Sequence, residues 1–212
     1  MRACIPRLAA ACLVASLAGC GWTPCFPPDR VLAAADTNAF EGDTHFVLAT
    51  ITADGVEARA RNDCSDELVP RGPGDLASAL ASVRAGLWRE ATSHGLTITD
   101  TAAAGDPSPR VSVRLTRVVL CKLREKDVGS DFETVYTWTT RMTAVVTLSD
   151  TRGRLLEQVE QTSSSTTRDD LTDWDGSLSR RLKDAAEQLG YEIALYVRSR
   201  SRGRTCRATA VR

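Results

Sequence analysis

The 212-residue chain is poor in lysine and histidine, and it has no apolar run long enough to form a membrane-spanning helix. Only three of its 27 basic residues are lysines, and 27 acidic residues bring the net charge to zero. A nucleic-acid-binding domain needs a basic excess, so we expect no nucleic-acid partner. With two histidines and no Cys-x-x-Cys pair, the chain lacks the usual zinc-binding patterns, and we expect no metal and no cofactor.

The first twenty residues have the three parts of a bacterial lipoprotein signal peptide. Arg2 and Arg7 give a positive start, and residues 8–18 form an apolar stretch of the length that export signals use. Positions 17–20 have the sequence Leu-Ala-Gly-Cys, which resembles the lipobox, in which the cysteine receives a diacylglycerol thioether and becomes the new N-terminus. The alternative is an ordinary secretory signal that is cleaved at another bond.

The lipobox predicts a domain outside the cytoplasm that is held by acyl chains, palmitate among them, at Cys20. Two or more such chains hold a protein stably on a membrane. Gly21 occupies the position where aspartate signals inner-membrane retention, so we expect the periplasmic side of the outer membrane. We divide the chain into a signal peptide (1–19), a membrane tether (20–44), an α/β domain (45–198) and a disordered basic tail (199–212).

Four cysteines remain once the signal peptide is removed and Cys20 is lipidated. An even number of cysteines in an oxidising compartment predicts two disulfides. Of the three pairings, we favour Cys64 with Cys121, because the strands before them flank a helical crossover and would run as parallel neighbours. This leaves Cys25 to pair with Cys206, which joins the two irregular terminal segments.

The segment from residue 45 to residue 95 predicts a hairpin followed by a helix. Residues 45–52 are rich in β-forming side chains, Ala-Asp-Gly at 53–55 indicates a turn, and residues 56–61 alternate weakly. Asp75 is a suitable helix cap, and Gly95 is a natural helix end. The helix between them has one apolar face, formed by Leu76, Leu80, Val83, Leu87 and Ala91.

The rest of the domain predicts further strands and a second helix. Residues 96–99 are β-prone, and residues 111–119 alternate between apolar and polar side chains. Residues 136–148 form the strongest predicted strand, residues 154–166 return beside it, and an amphipathic helix begins near Asp175. These elements predict a two-layer α+β fold, with two amphipathic helices packed on one face of a mixed, mostly antiparallel sheet of about four to five strands.

The two faces of the strand at 136–148 differ in polarity. Its odd-numbered positions are mostly polar and form the candidate partner face, which consists of Thr137, Thr139, Arg141, Thr143 and Thr147. A row of hydroxyls on a flat sheet suits water or a polar partner. The helices should cover the opposite, apolar face, which consists of Tyr136, Trp138, Met142, Val146 and Leu148.

The order of these features resembles the outer-membrane lipopolysaccharide-assembly lipoproteins, the LptE family. Cys-Gly-Trp at 20–22 resembles the family's lipidated start, and the Leu-x-Asp-x-x-Gly-x-x-Leu turn at 148–156 resembles the turn of its long hairpin. The helical segments at 76–80 and 182–193 resemble its two helices, so the likeness spans residues 56–198. The resemblance implies a non-enzymatic lipoprotein that assists lipopolysaccharide assembly by plugging or supporting an LptD-like β-barrel translocon. The same turn occurs in lipoproteins that activate peptidoglycan synthases, so a periplasmic adaptor of an envelope enzyme is the alternative.

Under that resemblance, four basic residues at and after the end of the 111–119 strand are candidate lipopolysaccharide-binding residues. They are Arg117, Lys122, Arg124 and Lys126. Lipopolysaccharide carries phosphates, which accept charge-assisted hydrogen bonds from such side chains. The alternative is a solvated charged loop, because Glu125 and Asp127 lie among the basic residues.

We expect no catalytic residues. The chain has no Gly-x-Ser-x-Gly elbow, and the acidic residues before the second helix fit no EF-hand, because Leu171 and Leu182 occupy ligand positions. His94 lies at a predicted helix end, where its partial positive charge is stabilised. We expect Trp88, Trp138 and Trp174 in the core or at its rim rather than in an aromatic ligand site.

Overall fold

The computed structural model has two layers, a mixed sheet and two helices that pack on one of its faces. It describes residues 27–35, 40–54, 56–58, 66–67, 73–100, 106–124, 136–169 and 174–202. The strands are β1 (Arg30–Ala34), β2 (His45–Thr52), β3 (Glu57–Ala58), β4 (Asp66–Glu67), β5 (Thr97–Thr99), β6 (Arg110–Arg124), β7 (Tyr136–Ser149) and β8 (Leu155–Asp169). The helices are α1 (Pro73–Ser93) and α2 (Trp174–Ser201). The predicted α+β class is confirmed.

The main sheet has six strands in the order β1-β8-β7-β6-β2-β5, rather than the four to five that the sequence predicted. Its centre is antiparallel, with β7 between β6 and β8, and β1 pairs antiparallel with β8. β2 runs parallel to both of its neighbours, β6 and β5. Parallel strands need a crossover connection, and α1, which lies between β2 and β6 in the chain, provides it. The short strands β3 and β4 also pair with β6.

Part of the predicted tether belongs to the folded domain. Residues 30–34 form the edge strand β1, and the backbone N–H of Ala35 donates to the carbonyl of Leu156 at 2.8 Å. Phe40 is fully buried in the core. The five residues of β1 do not alternate in polarity, so periodicity gives no signal for this strand.

The predicted hairpin at residues 45–61 is wrong. β2 pairs in parallel with β6 from Val47 to Thr52, and β3 pairs in parallel with the same strand, with Glu57 opposite Arg117. The chain therefore keeps its direction on either side of Asp54. Because β6 is 15 residues long, it offers backbone partners to both segments, and this long-range pairing overrides the local turn signal.

The helices α1 and α2 cross at two glycines. A Cβ on Gly86 would lie 2.2 Å from the backbone oxygen of Glu187, and a Cβ on Gly190 would lie 2.2 Å from the backbone oxygen of Val83. Neither position has room for a methyl group, so the two helix backbones are in direct contact. The apolar stripes predicted the two helices, but they did not predict this close crossing.

The predicted burial of the inner face of β7 is confirmed. Trp138 is 4% exposed, and Met142, Val146 and Leu148 are fully buried. The side chain of Tyr136 lies outside the described residues. The helices supply buried apolar side chains at helical spacing, namely Val83, Leu87, Leu182, Leu189 and Ile193.

The ends of the helices lie close to their predicted positions. α1 ends at Ser93, and Gly95 follows with a positive φ of 73°, as a helix stop requires. α2 begins at Trp174 and continues to Ser201, so residues 199–201 of the predicted tail complete the last turn. Of the helices that the structure describes, none is both long and apolar enough to cross a membrane.

Candidate functional site

The face of the sheet opposite the helices is the candidate site, and we call it the outer face. Alternation and register assign to it the β7 residues of the candidate partner face and side chains from β6 and β8. The polar members on β6 and β8 are Ser112, Arg114, Arg117, Gln158, Glu160, Thr162, Ser164 and Thr166. Val119, opposite Arg141, also lies on this face and is buried. The outer face is therefore a mostly polar surface that spans three strands.

Hydroxyl and amide side chains on the outer face bond to one another between β7 and β8. The hydroxyls of Thr143 and Thr162 are 3.1 Å apart, and Gln158 Nε2 donates to the hydroxyl of Thr147 at 3.0 Å. Cross-strand pairs of this kind each stabilise a sheet by ~0.2–1 kcal/mol. These side chains are therefore partly satisfied by contacts within the sheet.

The five residues of the candidate partner face are not equally accessible. Thr143 is only 6% exposed, although it lies on the face opposite the helices. Val145, beside it on the same face, is buried as well, and its neighbours across the strands are Arg114 and Glu160. The other four members are partly exposed. A partner would therefore reach the sides of this face more easily than its centre.

The most exposed residues of the outer face lie on the flanking strands. Ser164 and Thr166 on β8 are exposed, as are Arg114 and Arg117 on β6. The candidate partner face contained none of these four positions, and Arg117 was predicted only as a member of the separate basic group. The signal for the β8 positions was the hydroxyl-rich run at residues 163–167, in which alternate side chains share a face.

The candidate lipopolysaccharide-binding residues are only partly described. Arg117 is exposed on the outer face, where its β7 neighbour is Thr143. Lys122 and Arg124 belong to β6, but their side chains lie outside the described residues, as does all of Lys126. That these four residues lie together and bind lipopolysaccharide stays a prediction.

Cys121 lies on β6 and is disulfide-bonded. Cys20, Cys25, Cys64 and Cys206 lie outside the described residues, so the lipidation and both predicted pairings stay predictions. The argument for pairing Cys64 with Cys121 requires that the strand before Cys64 runs parallel to the strand that holds Cys121. β3 meets this requirement, because it runs parallel to β6. Peptide mapping without reduction distinguishes this pairing from the two other connectivities.

The inner face also holds a buried ion pair that the sequence analysis missed. Arg200 Nε of α2 lies 2.6 Å from Glu157 Oε2 of β8, and the side chains are 5% and 6% exposed. Burial raises the pKa of Tyr196 far above its usual range, and neighbouring Glu157 adds to the shift. The cluster fixes the end of α2 on the sheet.

A second polar cluster joins β8 to the middle of α2. Gln161 Nε2 donates to Glu192 at 3.3 Å, and Gln188 Nε2 donates to the other carboxylate oxygen at 3.1 Å. Burial raises the pKa of Glu192, and the charge of Asp29 contributes in the same direction. Beside this cluster, the Ser163 hydroxyl donates to the backbone of α2 at 2.8 Å.

His94 joins the end of α1 to α2. Its Nδ1 lies 2.6 Å from Arg198 Nη1, and its Nε2 is paired with Glu90. Because an arginine only donates, Nδ1 accepts and the ring proton is on Nε2, facing the carboxylate. Both ring nitrogens are thus taken up by structural contacts.

Trp138 and Trp88 occupy the predicted core and rim positions. Trp138 is buried, and the guanidinium of Arg181 lies 4.5 Å from its ring centre. Trp88 is partly buried, with Arg84 6.0 Å from its ring. The side chain of Trp174 lies outside the described residues.

The turn motif between β7 and β8 has a structural role. Asp150 Oδ1 accepts hydrogen bonds from the backbone of Arg152 at 2.9 Å and of Arg154 at 2.8 Å, and these bonds lower its pKa. Gly153 supplies the positive φ of 77°. A shallow cleft of about 260 Å³ lies beside this turn, with Asp43 on its wall. Within the described ranges, no three His, Cys, Asp or Glu side chains are grouped to hold a metal ion.

Comparisons with known proteins do not identify a family. No family model matches the chain, and no curated protein matches it. Among solved structures, the chain is similar to a minor lipoprotein from Acinetobacter baumannii, with 14% identity over 74% of this chain and 90% of that one and a TM-score of 0.36. It is also similar to the rare lipoprotein B from Shewanella oneidensis (14% identity, 73% and 91% coverage, TM-score 0.30) and to an uncharacterized lipoprotein B from Nitrosomonas europaea (11%, 74% and 88%, 0.29). Likenesses with such TM-scores assign neither a shared fold nor a function.

Proposed function

We propose that the chain is a non-enzymatic lipoprotein, anchored at Cys20 on the periplasmic side of the outer membrane. In this role it assists lipopolysaccharide assembly by plugging or supporting a β-barrel translocon. The observation that carries the proposal is the outer face, a polar three-strand surface opposite the two helices. The lipobox at residues 17–20 supports the anchor.

The chemistry of the outer face suits the interior of a barrel. The lumen of an outer-membrane barrel is polar and hydrated. Hydroxyls that are already paired across the strands keep further lone pairs for such a partner, and Arg114 and Arg117 offer exposed donors for carboxylates or phosphates. Binding would need no apolar patch on this face.

The contacts of the chemistry-bearing side chains support a non-enzymatic role. Both nitrogens of His94 are held by Glu90 and Arg198, and the Ser163 hydroxyl is directed into the backbone of α2. Asp150 shapes the hairpin turn. These groups serve the fold.

Photo-crosslinking in cells tests the partner. Crosslinking amino acids at Thr139 and Ser164 should capture a large outer-membrane barrel protein, whereas a crosslinker at Asp184, exposed on α2, serves as the matched control. Thr143 is too buried to report contact. Capture of a peptidoglycan synthase or another envelope enzyme would favour the adaptor alternative. If neither site captures a partner and lysine at both leaves the envelope intact, the plug hypothesis is wrong.

The variant Cys20→Ala tests the anchor separately. It should leave the signal peptide uncleaved or cut elsewhere, and it should carry no lipid. Membrane fractionation and the intact mass of the mature chain measure both effects. A wild-type chain without acyl chains would overturn the anchor, whatever the partner proves to be.

A further inference from the structure

One edge of the sheet carries an unusual group of exposed apolar side chains. Val31 is 44% exposed, Leu32 is 38% exposed and Leu155 is 36% exposed. Within the described part of the chain these are the exposed large apolar residues, and all three lie on β1 or at the start of its partner β8. We call this group the apolar edge. The apolar edge is small, and its position on the strand that follows the proposed anchor is what makes it informative.

The backbone of the edge is poorly suited to pairing with another strand. The register between β1 and β8 shifts between Val31 and Ala33, so Leu32 is the extra residue of a bulge. A bulge bends and twists an edge strand away from a flat template, and proteins use bulges to prevent edge-to-edge association. The apolar edge therefore does not fit a second copy that adds its own strand.

The distance to the proposed anchor favours a membrane. Seven residue steps separate Cys20 from Pro27, the first described residue, and even a fully extended chain of that length spans at most ~25 Å. Asp29 lies beside Glu160, near the middle of β8, where its backbone N–H donates to the Glu160 carbonyl at 3.1 Å. The short connection keeps Pro27, just before the start of β1, within ~25 Å of the acyl chains.

We propose that the apolar edge rests on the phospholipid surface of the leaflet that holds the Cys20 anchor. Val31 and Leu32 would enter the boundary between headgroups and acyl chains. The side chains of Arg30 and Arg154 are 65% and 74% exposed, and each is ion-paired in the structure, with Glu160 and Asp150 respectively. At the membrane their remaining N–H groups would face the phosphates. The contact rests on the proposed lipidation but not on the identity of the barrel. A sheet that stands on this edge turns its outer face sideways, along the membrane, toward a partner in the same bilayer.

The test uses the acylated protein, purified from membranes and placed in vesicles of phosphatidylethanolamine and phosphatidylglycerol. A photo-crosslinker replaces Leu32 in one variant and Asp184 in the control, since both positions are exposed and tolerate a new side chain. Mass spectrometry counts phospholipid adducts. We expect several-fold more adducts at Leu32, and we expect Val31→Ser, added to the Leu32 variant, to reduce them.

The results that would contradict the membrane contact can be distinguished from those that would contradict the anchor. Equal adduct yields at the two positions from an acylated chain would overturn the membrane contact and leave the anchor intact. Crosslinks between two copies of the chain through Leu32 would assign the edge to self-association instead. A mature chain whose intact mass shows no acyl groups would overturn both the anchor and the contact. Circular dichroism of each variant verifies that the fold is retained.

Discussion

The two faces of β7 belong to one strand, yet different interactions hold their side chains. On the inner face, Met142 and Val146 are fully buried under the helices. On the outer face, Thr139 and Thr147 stay partly exposed, and their hydroxyls pair with β8. The inner face contributes most of the stability, because burying a large apolar side chain stabilises by ~1.5–3 kcal/mol. The hydroxyl pairs of the outer face contribute less, ~0.2–1 kcal/mol each.

The largest expected difference comes from placing the same charge on each face. Val146→Asp puts a carboxylate without a partner into the core and should cost ~4 kcal/mol or more. Thr147→Asp, one residue away, keeps an acceptor for Gln158 and should change stability by less than ~1 kcal/mol. Urea unfolding of the mature chain measures both values. Comparable losses of unfolding free energy in the two variants would show that the outer face is also buried against another part of the chain.

The ion pair of Glu157 and Arg200 tests whether the inner face tolerates a buried charge that has a partner of opposite sign. Glu157→Leu leaves Arg200 charged and enclosed, and it should cost ~3–5 kcal/mol. Adding Arg200→Met to that variant removes the stranded charge and should restore most of the stability. Unfolding free energies of the two single variants and the double variant form the test. If the losses simply add, the pair is not coupled.

The contact between the helix backbones should be sensitive to a single methyl group. Gly190→Ala would place a Cβ 2.2 Å from the backbone oxygen of Val83, and the required shift should cost ~1–3 kcal/mol. Asp184→Ala, exposed on the same helix, is the control and should stay within ~0.5 kcal/mol. Thermal unfolding compares the two variants. An unchanged melting temperature for Gly190→Ala would mean that the helices separate without cost.

The elements with strong periodicity were predictable from the sequence. The alternation at residues 136–148 and the apolar stripes of α1 and α2 predicted which side chains are buried. An element with apolar side chains on only one face buries that face. The edge strand β1 and the parallel pairing of β2 and β3 were not predictable. Both depend on partners more than 50 residues away, on β8 and β6, and local composition does not encode them.

The candidate site was predicted in part. The polar face of β7 follows from alternation alone, so Thr137, Thr139, Arg141 and Thr147 were identified as its members. The burial of Thr143 and the contribution of β6 and β8 depend on the register between strands, which places Thr162 opposite Thr143 and Arg114 opposite Val145. A sequence pattern gives the face of each strand, but it does not give the register.

The carboxylate of Glu192, which accepts a hydrogen bond from Gln161 of β8, should make the stability of the protein depend on pH. Its pKa is raised in the folded protein, so the folded state binds this proton more tightly than the unfolded chain does. Its contribution to stability therefore falls as pH rises from its ordinary pKa of 4.5 through the raised value. Glu192→Gln should remove this slope and gain stability relative to wild type as pH increases. Urea unfolding from pH 4 to pH 7 measures the difference, and a constant gap across that range would contradict the shift.

The smallest effect is expected on the outer face itself. Thr162→Val removes the hydroxyl that faces Thr143 at 3.1 Å but keeps the shape and β-propensity of the side chain. Because Thr162 is partly exposed, the loss should be that of a cross-strand pair, ~0.2–1 kcal/mol. Ser163→Ala is the matched inner-face control, since its buried hydroxyl donates to the Ala185 carbonyl, and removing it should cost more because that oxygen then has one fewer donor. If Thr162→Val is the more damaging of the two by urea unfolding, the hydroxyl pairs of the outer face hold the sheet together and are not simply available for recognition. If it is mild in the purified chain yet reduces capture of the barrel partner from Ser164, the outer face acts in binding.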